Sequence, residues 1–249
     1  MDEGVPAAFL ARHAMLAAGY GGRADPEDPA QVLAMPMVLH ITKTHPPARS
    51  DLLAAAASAT VALCLDERTG AGDDGEPGPW QRALLDWTGS RIRKVARRAR
   101  GAQWLAAQHV DGVTVEVDGA QARALVPGPV GEVDQRIRKL QIGGTDLEHD
   151  EPGPPVVGLP VLWVNRSLEM TVGKAAAQVG HASMLLAGAM APERAWEWSR
   201  DGFRCAVRDA DRAHWAALGE LVAQGRAIAV RDAGYTEVAP GSMTVIAHP

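Results

Sequence analysis

The sequence predicts an α/β protein built on an open, partly parallel sheet, with the unit present twice. Short apolar runs of strand character alternate with longer, alanine-rich stretches of helical length. A second observation is the acidic, Pro-rich segment GGTDLEHDEPGPPVVGLP, a composition that sustains neither a helix nor a central strand and therefore divides the chain. The third is internal similarity. Aligning alanine triplets sets LLAAAASATVAL against VGKAAAQVGHASML, and aligning Pro-Gly pairs sets DGAQARALVPGPV against DAGYTEVAPGSMTV. Lys174, Gln178 and His181 then fall opposite Ala54, Ser58 and Val61, so the first copy is expected to keep the scaffold and lose the polar positions. The expected divisions are an appendage over residues 1–35, a first unit over 36–145, a linker over 146–160 and a second unit over 161–249.

Taken in order, PAAFLARHAMLAAG predicts a short helix outside the core, followed by a connector rich in Gly, Asp and Pro. The run MVLHI from Met37 has strand character, and LLAAAASATVALCLD is long and alanine-rich enough for a helix. ERTGAGDDGEPGPW reads as a surface loop. WQRALLDWTGS then predicts a helix, RIRKVARRA a strand with alternating basic and apolar positions, GAQWLAAQH a helix and VTVEV a strand. Beyond the linker, VLWVN and FRCAVR predict strands around the helix GKAAAQVGHASMLLAGAM, and ADRAHWAALGELVAQG predicts a helix before the strands AIAVRD and MTVIA.

With 47% hydrophobic and 22% charged residues over 249 positions, the composition is that of a globular chain able to bury a core. A net charge of −5 means that a nucleic-acid partner would have to be met by a local patch. The run RIRKVARRAR offers one, holding Arg91, Arg93, Lys94, Arg97, Arg98 and Arg100, with a second run, RIRKL, at Arg136, Arg138 and Lys139, although the first run also suits a solvated face. Lysine occurs only at Lys43, Lys94, Lys139 and Lys174, so Lys174 stands out. No run approaches the roughly 20 apolar residues of a membrane helix, and the opening MDEG lacks a basic n-region; the expectation is a cytoplasmic protein without a membrane partner. Cys64 and Cys205 lie in apolar runs as buried thiols, and the histidines lack metal-motif spacing, so neither a metal nor a cofactor is expected.

Lys174, Gln178 and His181 are spaced i, i+4 and i+7, which puts them on one helical face, while Ala175, Ala176 and Val179 form a small-residue face suited to close packing on a sheet. Gly173 at the helix start allows backbone amides to approach an anion. The same spacing also describes a solvated helix face. In RDAGYTEVAPG, Asp232 ends an apolar strand where side chains enter a crevice, and Thr236 follows. The alternative for Asp232 is a turn in which it bonds its own backbone and Gly234 supplies a positive φ.

GKAAAQVGHA and VRDAGYTEVAPGSMTVIA together resemble the two signature regions of class-two (archaeal and eukaryotic type) peptidyl-tRNA hydrolases, in the same order. The resemblance covers about residues 161–249 and, weakly, about 37–142. It implies a mixed four-stranded sheet with flanking helices, no metal, and cleavage of the ester between peptide and tRNA. By position it assigns Lys174 to the stabilisation of negative charge, Asp232 or His181 to the handling of water, and Thr236 and Gln178 to holding the ester. Gly173, Gly234, Arg93, Arg97 and Arg98 are the expected substrate-binding residues, with peptidyl-tRNA or another charged tRNA as partner. Trp87, Trp196 and Trp198 offer faces on which bases stack, or core packing. The chain departs from the family pattern at Asn165 and Ser167, where Arg and Asp are usual, and at Val172, where Lys is common. These departures keep two alternatives open, an aminoacyl-tRNA-dependent transferase and a non-catalytic tRNA- or protein-binding module. Because such proteins are typically dimers, the resemblance also implies a pseudo-dimer within one monomeric chain, or otherwise a homodimer.

Overall fold

The computed structural model describes residues 4–72, 75–234 and 237–249. Helix α1 (Ala7–Ala17) leads into strand β1 (Leu33–His40), helix α2 (Arg49–Cys64), helix α3 (Gln81–Thr88) and strand β2 (Lys94–Ala99). The first half continues with α4 (Ala102–Ala107), β3 (Gly112–Val117), β4 (Ala120–Leu125), the two-residue β5 (Gly128–Pro129) and α5 (Gln135–Arg138). The second half comprises β6 (Val161–Asn165), α6 (Val172–Ala189), α7 (Pro192–Arg200), β7 (Ala206–Ala210), α8 (Arg212–Ala223), β8 (Ile228–Arg231) and β9 (Met243–His248). No helix among the described residues is long and apolar enough to cross a membrane.

Both halves carry a mixed sheet. The first has the order β2-β1-β4-β3, with β5 paired at the foot of β1, and the second the order β7-β6-β9-β8. In each, the first two strands are parallel and the hairpin is antiparallel: β1 runs parallel to β2 and antiparallel to β4, as β6 does to β7 and β9. The expected α/β architecture with two mixed sheets and flanking helices is therefore present. Strand β1 begins before Met37 because Pro36, which has no N–H to give, falls between the stretch paired with β4 and the stretch paired with β5.

Period-2 alternation puts Met35, Met37 and Leu39 of β1, and Leu162 and Val164 of β6, into one continuous core, while Val38 points to a second cluster with Trp104, Leu125 and Ile137. Helices α2 and α6 fill the space between the halves and pack on each other. α2 is apolar and small-sided on nearly every face, as a helix buried all round must be. At the crossing, a Cβ on Gly180 would lie 2.7 Å from Thr60 Oγ1, so only glycine admits this approach. Ser183 of α6 donates to the Ala57 carbonyl of α2 at 2.9 Å.

Three elements differ from expectation. α1 is not outside the core: Phe9 and Leu16 are buried in it, and the helix packs on α6 and α7, the burial of two large apolar side chains outweighing the polar connector that follows. β4 lacks the β-branched and aromatic residues that mark strands, because Ala120, Ala122 and Ala124 must leave room for α2. α7 separates from α6 at Pro192, which starts a helix well but cannot continue one.

Candidate active site

Helix α6 starts at a built cap. Thr171 Oγ1 accepts from the Lys174 amide at 3.2 Å, and Glu237 accepts from the Thr171 hydroxyl at 2.7 Å and its amide at 2.9 Å. The face of Ala175, Ala176 and Val179 is fully buried, which turns the opposite stripe outward. On that stripe Lys174 Nζ lies 2.6 Å from Asp232 Oδ2, and Gln178 Nε2 donates to the same oxygen at 2.8 Å. Gln178 in turn accepts from the buried Thr244 hydroxyl of β9 at 2.7 Å, which fixes its amide orientation. The ion pair is little exposed, with 10% and 8% of the two side chains accessible, so its geometry is held by the surroundings.

Asp232 engages both of its carboxylate oxygens. Its Oδ1 accepts from the Gly234 amide at 2.7 Å, forming the turn, while Oδ2 faces the helix. Gly234 sits at φ 80°, and a Cβ there would lie 2.4 Å from Pro240 Cγ, so the turn requires glycine twice over. Asn165 and Ser167 turn on each other: Asn165 Oδ1 accepts from the Ser167 hydroxyl at 2.6 Å and its amide at 3.1 Å. Thr236 lies outside the described residues.

His181 does not join the Asp232 cluster. Its Nδ1 lies 3.0 Å from Lys94 Nζ, a residue of β2 in the other half. Burial, and then the charges of Lys94 and Lys174, hold the His181 pKa well below the ordinary histidine range, so the ring is neutral. Lys94 itself is lowered to about 7 by burial.

The Gly173 amide is engaged within the chain. Its N–H donates to Thr145 Oγ1 at 3.1 Å, because the end of the first unit folds Thr145, only 2% exposed, over the helix tip. The expected arginine patch is also dispersed. Arg93 pairs with Asp25 at 2.8 Å and lines a cleft of about 440 Å³ with Arg23, Arg82 and Asp86, none of which belongs to α6. Arg97 and Arg98, adjacent in a strand, leave opposite faces of the sheet. Arg97 donates to the Leu140 carbonyl at 2.9 Å, and Arg98 to Gln141 Oε1 at 2.9 Å. Alternation in β2 thus splits the basic run, as its spacing allowed. Trp87 and Trp198 are buried and donate to the carbonyls of Arg93 and Arg204, and Trp196 meets Phe9 edge to face at 5.0 Å, so all three are packing residues. Lys94 was legible as one of four lysines, yet nothing in its local sequence tied it to His181.

Residues 160–249 match the family model of peptidyl-tRNA hydrolase PTH2. No curated protein and no solved structure matches the chain. The matched span contains α6 with its Lys174 and Gln178 and the loop that bears Asp232. The similarity to a peptidyl-tRNA hydrolase PTH2 domain thus covers the C-terminal part of the chain, residues 160–249.

Proposed function

We propose that the chain hydrolyses the ester joining a peptide to tRNA, at the site where Lys174, Gln178 and Asp232 converge. The single observation that carries this reading is the shared Asp232 Oδ2, which receives both Lys174 Nζ at 2.6 Å and Gln178 Nε2 at 2.8 Å. Ester hydrolysis needs water aimed at the carbonyl carbon, a cation near the developing oxyanion and a proton for the departing ribose oxygen. A carboxylate holding an ammonium in a nearly closed site keeps that charge in place before substrate arrives. Lys174 therefore serves the oxyanion, Asp232 orients Lys174 and water, and Gln178, anchored by Thr244, orients the ester. Thr236, four positions further along the sequence, is the proposed hydroxyl for the substrate.

The N-terminal half is proposed to be a copy of the same unit that has kept the strand order and lost the polar stripe. Two such units packed through α2 and α6 would make a pseudo-dimer, so the chain is expected to be monomeric in light scattering. The partner is a charged tRNA, and its affinity should fall steeply with salt.

One observation favours a second reading. Thr145 already takes the Gly173 amide, which suits a module that binds charged tRNA without turning it over. Incubation with an N-acylated aminoacyl-tRNA and with free aminoacyl-tRNA separates the possibilities. Release of tRNA from the N-acylated substrate supports hydrolysis, retention without turnover supports the binding module, and movement of the acyl group to an amine supports a transferase.

A further inference from the structure

The polar stripe of α6 does not end inside its own half. Strand β2 of the N-terminal half lies along this helix. A Cβ on Gly180 would lie 3.3 Å from Lys94 Cδ and Cε, and one on Gly173 would lie 3.7 Å from the Ala96 Cβ. Gly180 is therefore the slot through which the Lys94 stem passes to reach His181. At the end of that stem the Lys94 ammonium lies 5.1 Å from the centroid of the Trp87 ring, whose face favours a cation. It lies 3.0 Å from His181 Nδ1. Among the described residues, the other titratable groups acting on the pair are Lys174 and the thiol of Cys64, which burial pushes up to about 12 and so keeps neutral.

We propose that Lys94 is a positioning residue for the site of the C-terminal half: its ammonium donates to His181 Nδ1 across the interface and fixes His181 as the Nε2–H tautomer, a hydrogen-bond donor held for the substrate. Below its pKa of about 7 the Lys94 side chain is an ammonium, and there the inventory of donors decides the tautomer. An ammonium has donors only, so the nitrogen it meets must accept, and a neutral imidazole with an accepting Nδ1 carries its one proton on Nε2. His181 is kept neutral by burial and by the two lysine charges. It shares its helical face with Gln178 and Lys174, so a substrate laid along the stripe meets a donor rather than a base. The site is thereby made of both halves: the N-terminal half, without the polar stripe of its own, supplies the group that sets the protonation of its neighbour's. The tautomer part of this proposal stands on the Lys94–His181 contact and the protonation of that pair; the substrate part rests on the hydrolase reading.

The test is nitrogen-15 NMR of the histidine rings in the full chain at pH 6, joined to turnover of an N-acylated aminoacyl-tRNA. The wild-type chain should give an unprotonated, pyridine-like Nδ1 and a protonated, pyrrole-like Nε2 for His181. A protonated Nδ1, or a signal averaged between the two forms, overturns the proposal without help from any variant. Lys94→Met should move the His181 signals toward the average and lower kcat about tenfold with little change in KM, the usual scale for losing a group that orients an imidazole. Lys94→Arg, also a pure donor, should restore both. Unchanged signals in Lys94→Met overturn the lock, and unchanged kcat beside shifted signals overturns the role toward substrate. A wild-type chain that holds the tautomer but never releases tRNA overturns the hydrolase reading and with it the role toward substrate, and leaves the lock standing.

Discussion

In the N-terminal half, β3 and β4 are joined by Asp118 and Gly119 alone, and Asp118, at φ 46°, is exposed. In the C-terminal half eleven residues, 232–242, separate β8 from β9, and Asp232 among them turns back onto α6. The helices differ to match. Lys174 and Gln178 of α6 reach Asp232, whereas at the aligned positions of α2 stand Ala54, buried, and Ser58, which donates to the Phe203 carbonyl at 2.8 Å. Each half also covers the other's helix with the segment entering its second strand. Phe203 and Cys205 lie over α2, and Lys94 lies over α6. One strand order thus supports either a two-residue turn beside an apolar helix or a longer connection beside a polar one; connection length and a few side chains, not topology, separate the halves.

The largest consequence of that difference concerns rate. Lys174→Ala should lower kcat for peptidyl-tRNA hydrolysis by about 100-fold or more, the scale for losing a group that stabilises an oxyanion. The assay is release of tRNA under single-turnover conditions, with the melting temperature checked alongside. Next is stability. Asp232→Ala leaves an ammonium and an amide facing an emptied, little-exposed position and should cost about 3 kcal/mol in denaturant unfolding. Gly234→Ala should cost somewhat less, about 1–3 kcal/mol, because a strained φ and the clash with Pro240 are relieved only by shifting the loop. Smallest is Asp118→Gly, which relaxes a positive φ in an exposed turn and should change stability by less than about 1 kcal/mol while leaving turnover intact. Equal losses at Asp118 and Asp232 would erase the contrast between the halves.

The interface between the halves carries its own pH signature. Lys94 has a pKa of about 7 when folded against an ordinary 10.5, so from about pH 7 to 10 the unfolded chain holds more protons and stability should rise with pH. The penalty of its burial is in full force below 7. His181, depressed below 6.5, adds a loss of stability as the pH falls through that value. Lys94→Met should remove the alkaline rise and keep the acid loss, as read from unfolding curves at several pH values.

Much of the fold was legible because strand and helix periods differ: MVLHI, VLWVN and MTVIA announced strands, and the two alanine-rich runs announced α2 and α6. β4 was not, since an alanine strand made small for a neighbouring helix carries no strand composition. The i, i+4 spacing placed Lys174 and Gln178 on one face, and a strand-ending carboxylate supplied their partner. Spacing along one helix cannot reveal what the other half brings to it, which is why Lys94 beside His181, Thr145 over Gly173 and the scattering of Arg93, Arg97 and Arg98 emerged only in three dimensions.

A double-mutant cycle on turnover tests most directly whether Lys174 and Asp232 act as one device. Lys174→Met, Asp232→Asn and the combined variant are compared with wild type in release of tRNA from an N-acylated aminoacyl-tRNA, each with its unfolding curve. If the pair works as a unit, the double variant is no slower than the slower single one, since losing either partner already disables the site. Losses that multiply, or single variants that fold normally and turn over at the wild-type rate, would contradict the account.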